Sequence, residues 1–256
     1  MCLLVLAWRV HPDHALIFAG NRDERHARAS APAGFWSDAP QVLAGRDLEA
    51  GGSWLGVTST GRFAVVTNYR EGLDPPKAPR SRGGLVAEFL EGGMRADAYL
   101  SEVQSRGRDY GAFSLICGDR DGLHWYSNRG GAPAPVTPGV HGLSNHLLDT
   151  PWPKVTQSKA RLTLLVEEDA LTSEALFRLL ADRTPAGDAA LPDTGIGQEL
   201  ERRVSPAFVL NPVYGTRCST LLTVHRDGSQ DFAERRFDAT GATLETRRFH
   251  LPGAAR

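Results

Sequence analysis

The segment CLLVLAWRVHPDHALIFAGNRDE, residues 2–24, contains two apolar runs followed by four polar residues. The runs cover residues 2–10 and 14–20, and the short stretch between them contains proline and aspartate, which favour a turn. This pattern predicts a β-hairpin at the start of the chain. Because the second strand of a hairpin ends beside the start of the first, the polar block at 21–24 should lie close to Cys2.

The rest of the chain alternates predicted strand pairs with predicted helices. Strands are predicted at 53–58 and 63–69, at 112–118 and 122–127, and at 216–225, 230–236 and 244–250. Helices are predicted at 81–93, 96–107, 159–168 and 173–183, and Pro-rich loops at 74–80, 132–138 and 184–193. Antiparallel strand pairs with helices gathered in two stretches indicate an α+β layered architecture, which we assign to one domain, 1–256.

Composition narrows the classes of function. The 256-residue chain has a formal net charge of -1, which argues against a nucleic-acid-binding surface. Its three cysteines, Cys2, Cys117 and Cys218, form no C-x-x-C pair, so neither a disulfide framework nor a zinc finger is expected. The N-terminal apolar run is too short for a transmembrane segment, and we predict a cytoplasmic protein with a small-molecule ligand. The sequence leaves the oligomeric state open.

Cys2 is a candidate nucleophile because removal of Met1 would leave a thiol and a free α-amine on one residue. The amine titrates near pH ~7.7–8 and the thiol near ~8.5, so the amine can accept the thiol proton. This is the N-terminal form of a nucleophile–base pair. Position alone fits an ordinary buried residue at the start of a strand better, so other residues must support the functional interpretation.

Four further positions could complete such a site. A buried Asp23 would hold the amine and Arg22 would favour the thiolate, although a charged loop with a helix-capping aspartate is the simpler alternative. Asn68 at a strand end and Asn145 in a similar setting suit oxyanion-hole donors, although turn chemistry alone explains both. Arg217, at the start of a late strand, would bind a substrate carboxylate or stabilise the thiolate.

These pieces together resemble the NRDE family, also called the transport and Golgi organisation protein 2 family. The resemblance is carried by ordered blocks that span almost the whole chain. They are Met1-Cys2, Asn21-Arg22-Asp23-Glu24, Gly51-Gly52-Ser53-Trp54-Leu55-Gly56, Thr67-Asn68-Tyr69-Arg70, Ser81-Arg82-Gly83, Gly142-Leu143-Ser144-Asn145 and Gly215-Thr216-Arg217-Cys218-Ser219-Thr220. The family in turn looks like a distant branch of the cysteine N-terminal-nucleophile hydrolases.

The resemblance implies a four-layer αββα fold of two antiparallel sheets flanked by helices. It implies catalytic roles for Cys2 as nucleophile, Asp23 as the carboxylate that holds the amine, Asn68 and Asn145 as oxyanion- and amine-binding residues, and Arg217 as the late arginine. We predict substrate-binding positions at Asn21, Arg22, Trp54, Tyr69 and His146. One position departs from the hydrolase pattern: Gly20 stands where those enzymes carry an arginine.

The resemblance implies two functions of different classes. One is intracellular haem trafficking, in which haem is a bound cargo and not a required cofactor; links to lipid and acyl-coenzyme A metabolites are looser. The other is hydrolysis of a non-peptide amide bond by Cys2. The eight histidines show no ligand spacing on a helix and there is no C-x-x-C-H, so no metal site is predicted, although a thiolate or histidine could still ligate haem iron.

Overall fold

The chain forms two antiparallel sheets in a computed structural model that describes residues 2–73 and 77–253. The six-stranded sheet has the order β10-β1-β2-β11-β12-β13. Its strands are β1 (Cys2–Trp8), β2 (His14–Arg25), β10 (Gly139–Leu143), β11 (Tyr214–His225), β12 (Gln230–Phe237) and β13 (Thr243–Leu251). The seven-stranded sheet runs in sequence order from β3 to β9. Its strands are β3 (Ser30–Phe35), β4 (Val42–Asp47), β5 (Leu55–Thr58), β6 (Phe63–Asn68), β7 (Phe113–Gly118), β8 (Leu123–Ser127) and β9 (Ala134–Pro135).

Helices cover the outer face of each sheet. The helices are α1 (Arg82–Glu91), α2 (Ala96–Ser105), α3 (Pro153–Glu167), α4 (Ser173–Leu180) and α5 (Gln198–Arg203). One apolar cluster joins α1 and α2 to the seven-stranded sheet, a second fills the space between the sheets, and a third joins α3 and α4 to the six-stranded sheet. These clusters define the four-layer αββα architecture, so the predicted fold is confirmed.

Strand β1 is apolar along its whole length because both of its faces are covered. Leu4 and Leu6 point into the layer between the sheets, whereas Val5 and Ala7 pack toward the helices. This two-sided burial accounts for an uninterrupted apolar run instead of the alternating pattern of a strand with one wet face. It also fixes the direction of Cys2, which shares the parity of Leu4 and so faces the space between the sheets.

The structure confirms the N-terminal hairpin, in which Cys2 pairs with Arg22, and corrects several boundaries. Strand β2 continues to Arg25, so the polar tetrad lies inside the strand and not after it. Helix α3 begins at Pro153, before the predicted start at 159, because proline fits the first helical turn. The strands β3, β4, β9 and β10 and the helix α5 were not predicted. Part of the loop predicted at 74–80 lies outside the described residues. No helix in the described ranges is long and apolar enough to cross a membrane.

Gly20 has no room for a side chain. A Cβ built on it would lie 2.9 Å from the ring of Phe18 and 3.2 Å from the carbonyl oxygen of Leu3. Phe18 is fully buried between the sheets and cannot turn aside freely. The ring therefore occupies the space that a longer side chain at position 20 would need.

We expect Gly20→Ala to lower the free energy of unfolding by about 1–3 kcal/mol, because it overpacks a filled core. Gly34→Ala is the matched control, since Gly34 also lies in a strand but has nothing within 4 Å of its built Cβ. Urea denaturation of both variants measures the difference. Equal stability of the two variants would show that Phe18 yields to the extra methyl group.

Candidate functional site

A cavity of about 190 Å³ opens between the two sheets beside Cys2. Cys2 pairs with Arg22 across β1 and β2, and Cys218 pairs with the same arginine across β2 and β11. The three residues therefore form one row across the sheet, with Arg22 between the two cysteines. All three line the cavity, and Cys2 is 9% exposed.

Asn145 fixes the backbone at Cys2. Its Oδ1 accepts a hydrogen bond of 3.0 Å from the Cys2 nitrogen, and its Nδ2 donates one of 2.9 Å to the carbonyl oxygen of Asn68. The neighbouring Ser144 hydroxyl donates to the Cys2 carbonyl oxygen at 2.9 Å. Asn145 is completely buried and has a left-handed φ of 53°, a conformation that asparagine tolerates better than most residues. This one amide side chain ties the start of β1 to the end of β6 in the opposite sheet.

Asp23 lies on the face of β2 opposite to Arg22. Its carboxylate is 3% exposed, and the Thr216 hydroxyl donates to Oδ1 at 2.6 Å. Burial raises the pKa of Asp23, while Lys154 and Arg22 act to lower it. The pKa of the Cys2 thiol is also raised, mainly by burial, and the nearby Asp23 contributes in the same direction. The ionised forms of both groups are therefore costly in this environment.

A β-bulge places Arg217 and Cys218 in the same cavity. The pairing of β11 with β2 shifts between Thr216 and Cys218, so Arg217 is the extra residue. Regular alternation along the strand would place Arg217 and Cys218 on opposite faces, but the bulge re-aims the side chains around it, and both residues line the cavity. The Arg217 guanidinium donates to the carbonyl oxygens of residues 25, 26 and 28 at 2.9–3.1 Å.

Arg82 enters the cavity because Gly52 and Gly83 allow the backbone before β5 to approach the first turn of α1 closely. A Cβ on Gly52 would lie 2.4 Å from the carbonyl group of Gly83, so only glycine fits there. The contact holds the first turn of α1 against the segment before β5, where the Ser53 N–H donates to the Gly83 carbonyl oxygen at 3.2 Å. Arg82 donates to the carbonyl oxygen of Ala112 at 3.0 Å, and burial lowers the pKa of its guanidinium.

The cavity wall carries an excess of arginine. The arginines are Arg22, Arg28, Arg46, Arg82, Arg217 and Arg236, against the acids Asp23, Glu24, Asp47 and Glu234. Arg28 is committed to Asp47 at 2.6 Å, whereas Arg82 and Arg217 bond only to carbonyl oxygens among the described residues. Arg22 lies 3.8 Å from Glu24, and its buried Nη1 has no hydrogen-bond partner within the described ranges. The wall therefore favours an anionic ligand.

A second, more apolar groove of about 440 Å³ shares Asn68 and Arg82 with the arginine cavity. Tyr69 and Asn145 also line it, together with Ile196, Leu200, Val204 and Val209. The Tyr69 phenol is 2.6 Å from His146 Nε2, and Thr150 Oγ1 is 2.8 Å from His146 Nδ1. Because the Thr150 hydroxyl donates to Leu147, it accepts from Nδ1–H, and Nε2 in turn accepts the Tyr69 proton.

The predicted site residues divide into three groups. Cys2, Asp23, Asn68, Arg217, Arg22 and Trp54 line the arginine cavity, Asn145 and Tyr69 line the adjacent groove, and His146 backs Tyr69. Asn21 is the exception, because it faces the helices on the other side of β2. Its amide donates to the carbonyl oxygens of Leu180 and Ala207 and accepts from Ser219, so it braces the fold and does not face a ligand.

Several charged residues line the cavity that were not among the predicted site residues: Glu24, Arg28, Arg46, Asp47, Arg82, Glu234 and Arg236. Arg82 belongs to the Ser81-Arg82-Gly83 block, whose paired glycine Gly83 was the available signal. Glu234 reaches the cavity from a distant part of the chain, and no local sequence pattern indicated it. In the described part of the chain, no group of three or more His, Cys, Asp or Glu residues is arranged to hold a metal ion.

The two antiparallel sheets with helices on their outer faces are similar to the fold of the N-terminal-nucleophile hydrolases. The Caenorhabditis elegans N-acylethanolamine-hydrolyzing acid amidase ortholog superposes with a TM-score of 0.52 and 12% identity, over 86% of this chain and 92% of that one. The Transport and Golgi organisation 2 family model matches residues 1–239. The Transport and Golgi organization 2 homologs of Mus musculus and Homo sapiens are 36% and 37% identical to this chain over 257 residues. Each match covers 92% of this chain and 92% of the relative. The chain belongs to the Transport and Golgi organisation 2 family.

The raised pKa of Asp23 has a consequence for stability. The folded protein binds the Asp23 proton more tightly than the unfolded chain, so the contribution of Asp23 to stability falls as the pH rises from 3.8 through the folded-state pKa. We expect Asp23→Asn to gain stability relative to wild type over that interval. Urea denaturation of both proteins from about pH 4 to about pH 8 measures the difference.

Asp47→Asn is the contrasting control for this measurement. Burial alone would raise the pKa of Asp47, but its hydrogen bond to Arg28 and others lower it, so this carboxylate stabilises the fold above its unfolded pKa. Asp47→Asn should therefore lose stability relative to wild type as the pH rises. A flat difference between wild type and Asp23→Asn would contradict the assignment of a raised pKa to Asp23.

Proposed function

We propose that this protein is a cysteine N-terminal-nucleophile amidohydrolase that cleaves a small amide carrying an anionic group. The observation that carries the proposal is the hydrogen bond of 3.0 Å between the Cys2 nitrogen and the buried Asn145 Oδ1, at the edge of an arginine-lined cavity. Removal of Met1 would convert that nitrogen into an α-amine already held in place beside the thiol. Pre-positioned groups of this kind lower the entropic part of an activation barrier.

The α-amine would accept the thiol proton as the sulfur attacks the amide carbonyl carbon, forming a C–S bond. The Asn68 side chain, at the wall shared by the cavity and the groove, would donate to the resulting oxyanion. Collapse of the intermediate breaks the C–N bond, and the proton passes from the α-ammonium to the departing amine. A water molecule, deprotonated by the α-amine, then attacks the thioester and releases the acid and the Cys2 thiol.

Charge on the cavity wall supports the anionic character of the substrate. Arg82 and Arg217 use their guanidinium groups on carbonyl oxygens, which leaves their positive charges without a carboxylate partner among the described residues. The pKa of Arg217 is lowered by burial and by the neighbouring Arg22 and Arg236, so an added negative charge would relieve repulsion among the three. A carboxylate on the substrate would meet this need with hydrogen bonds to arginine.

Replacement of the nucleophile tests the proposal. With a protein whose mass confirms loss of Met1, Cys2→Ala should lower kcat/KM for an N-acyl amino acid by at least about 10³-fold. Cys117→Ala is the control, since Cys117 is buried in the cluster between the seven-stranded sheet and its helices and should retain wild-type activity. The wild type should prefer the carboxylate substrate to the matching neutral amide. Retention of Met1 in the active protein, or unchanged activity in Cys2→Ala, would refute the mechanism.

Haem cargo is a second candidate, favoured by the Tyr69–His146 pair at the apolar groove. The Tyr69 phenol lines the groove and donates to a neutral imidazole, so His146 can accept the proton if the phenolate ligates ferric iron. Burial lowers the pKa of His146 and raises that of Tyr69, which keeps the phenol protonated until a metal competes for it. The groove's aliphatic wall suits a flat apolar ligand.

Titration with haemin, followed by absorbance, tests the haem candidate. Tyr69→Phe should weaken binding at least about tenfold, because it removes the proposed iron ligand. Tyr126→Phe, in the cluster beneath α2, should bind like wild type. Cys2→Ala should also bind normally, which would separate cargo binding from thiol chemistry. Absence of saturable binding in wild type, or equal affinity in Tyr69→Phe, would exclude this groove as the haem site.

A further inference from the structure

Asp149 closes the loop that carries Ser144 and Asn145. The Asp149 N–H donates to the carbonyl oxygen of Gly142 at 2.8 Å, and the Gly142 N–H donates to Asp149 Oδ1 at 3.0 Å. Because Gly142 lies on β10, the strand at one edge of the six-stranded sheet, these two bonds satisfy main-chain groups that would otherwise be left at an open edge. Residues 144–148 therefore form a loop whose two ends are joined by hydrogen bonds.

The Asp149 carboxylate also ties this loop to helix α3. Lys159 Nζ donates to Oδ1 at 2.6 Å, and His141 Nδ1 lies 2.6 Å from Oδ2. The His141 Nε2 lies 2.8 Å from the carbonyl oxygen of Thr137, so both ring nitrogens face acceptors, as in an imidazolium that donates twice. Burial alone would raise the pKa of Asp149, but the hydrogen bonds from His141 and Lys159 lower it to about 2. The carboxylate is therefore ionised at neutral pH.

A glycine lets α3 approach β10 closely enough for the contact with Lys159. A Cβ built on Gly142 would lie 2.7 Å from Val155 Cγ1 and 3.1 Å from Lys159 Cγ. Because position 142 has no side chain, the lysine stem packs against β10 and its ammonium group reaches Asp149. The edge strand, the helix and the end of the loop therefore meet at one carboxylate.

The tip of the same loop holds the main chain of Cys2. The Ser144 hydroxyl donates to the Cys2 carbonyl oxygen at 2.9 Å, and the Cys2 nitrogen donates to Asn145 Oδ1 at 3.0 Å. The seven-stranded sheet meets the tip from the other side. There the Arg70 N–H donates to the Asn145 carbonyl oxygen at 2.8 Å, and the Ser114 hydroxyl donates to the carbonyl oxygen of residue 146 at 2.7 Å. The tip thus lies between the sheets, and Asp149 fixes its base to the six-stranded sheet and α3.

We propose that Asp149 is a positioning residue for the Cys2 site: by joining β10, α3 and the two ends of the loop, its carboxylate holds Ser144 and Asn145 in place against the Cys2 main chain. The inference rests on the proposed amidohydrolase function, in which the nitrogen held by Asn145 is the base. Asp149 lines neither the arginine cavity nor the adjacent groove, so it acts through the loop and not on the substrate.

Kinetics of Asp149→Ala, on protein lacking Met1, test this role. With N-benzoylglycine as the substrate, kcat should fall at least about tenfold, because a small displacement of the attacking groups is costly in rate. KM should stay within about twofold of the wild-type value, since the arginines that bind the anion are untouched. Asp182→Ala is the matched control, because it breaks a similar ion pair, to Arg161 of the same helix, and should retain the wild-type kcat.

Hydrogen–deuterium exchange reports on the loop without any substrate. Asp149→Ala should speed exchange at least about tenfold in residues 143–149 and at the start of β1, while α2 exchanges as in wild type, because only the loop and its contacts are released. Lys159→Met removes one of the bonds to the carboxylate and should show the same pattern with a smaller loss of kcat. It is the variant to measure if Asp149→Ala does not fold.

A double-mutant cycle separates positioning from a general loss of stability. In the Asn145→Ala background, Asp149→Ala should lower kcat little further, because the amide through which it acts is already gone. An unchanged kcat in folded Asp149→Ala or in Lys159→Met, or an equal loss in both backgrounds, would overturn the proposal. If wild type cleaves no amide, faster exchange at the start of β1 in the variant leaves the positioning role standing while the amidohydrolase function fails, and unchanged exchange there overturns the positioning role as well.

Discussion

The site depends on a single amide side chain that joins the two sheets. Asn145 receives the Cys2 nitrogen on one side and reaches the Asn68 backbone on the other. Both polar ends of the amide are used, and the residue is completely buried, so neither bond can be lost without leaving an unpaired group in the interior. To make both hydrogen bonds, Asn145 adopts a left-handed backbone conformation, which costs some conformational energy. Everything that surrounds Cys2 is positioned relative to that bridge.

Around Asn145, the layer between the two sheets contains charged side chains instead of apolar ones. The layer between the sheets is closed by leucine, phenylalanine and tryptophan along most of its length, yet at the Cys2 end it is lined by arginines and carboxylates. Buried charge is weak evidence for stability, because desolvation offsets most of the attraction. Concentration of raised and lowered pKa values at one end of the sandwich is instead typical of a functional site.

Sequence reasoning predicted what depends on local pattern and adjacency. The N-terminal hairpin brought residues 21–24 to Cys2 because strand pairing alone requires it. The face of each side chain was harder to predict: Asn21 turned to the helices, and a bulge at Arg217 broke the alternation that would have separated it from Cys218. The burial of Lys154 could not be predicted, since only tertiary packing brings the start of α3 against β1. Assignment of the whole chain to one domain and to the cytoplasm stays a prediction.

Phe18 and Gly20 are two residues apart on one strand, and each limits what the other position can hold. A larger residue at position 20 needs a smaller one at position 18, yet a smaller one at position 18 alone leaves a void between the sheets. A larger residue at position 20 alone, or a smaller residue at position 18 alone, would each lower the stability of the protein. The two positions must therefore change together before β2 can carry a long side chain at position 20.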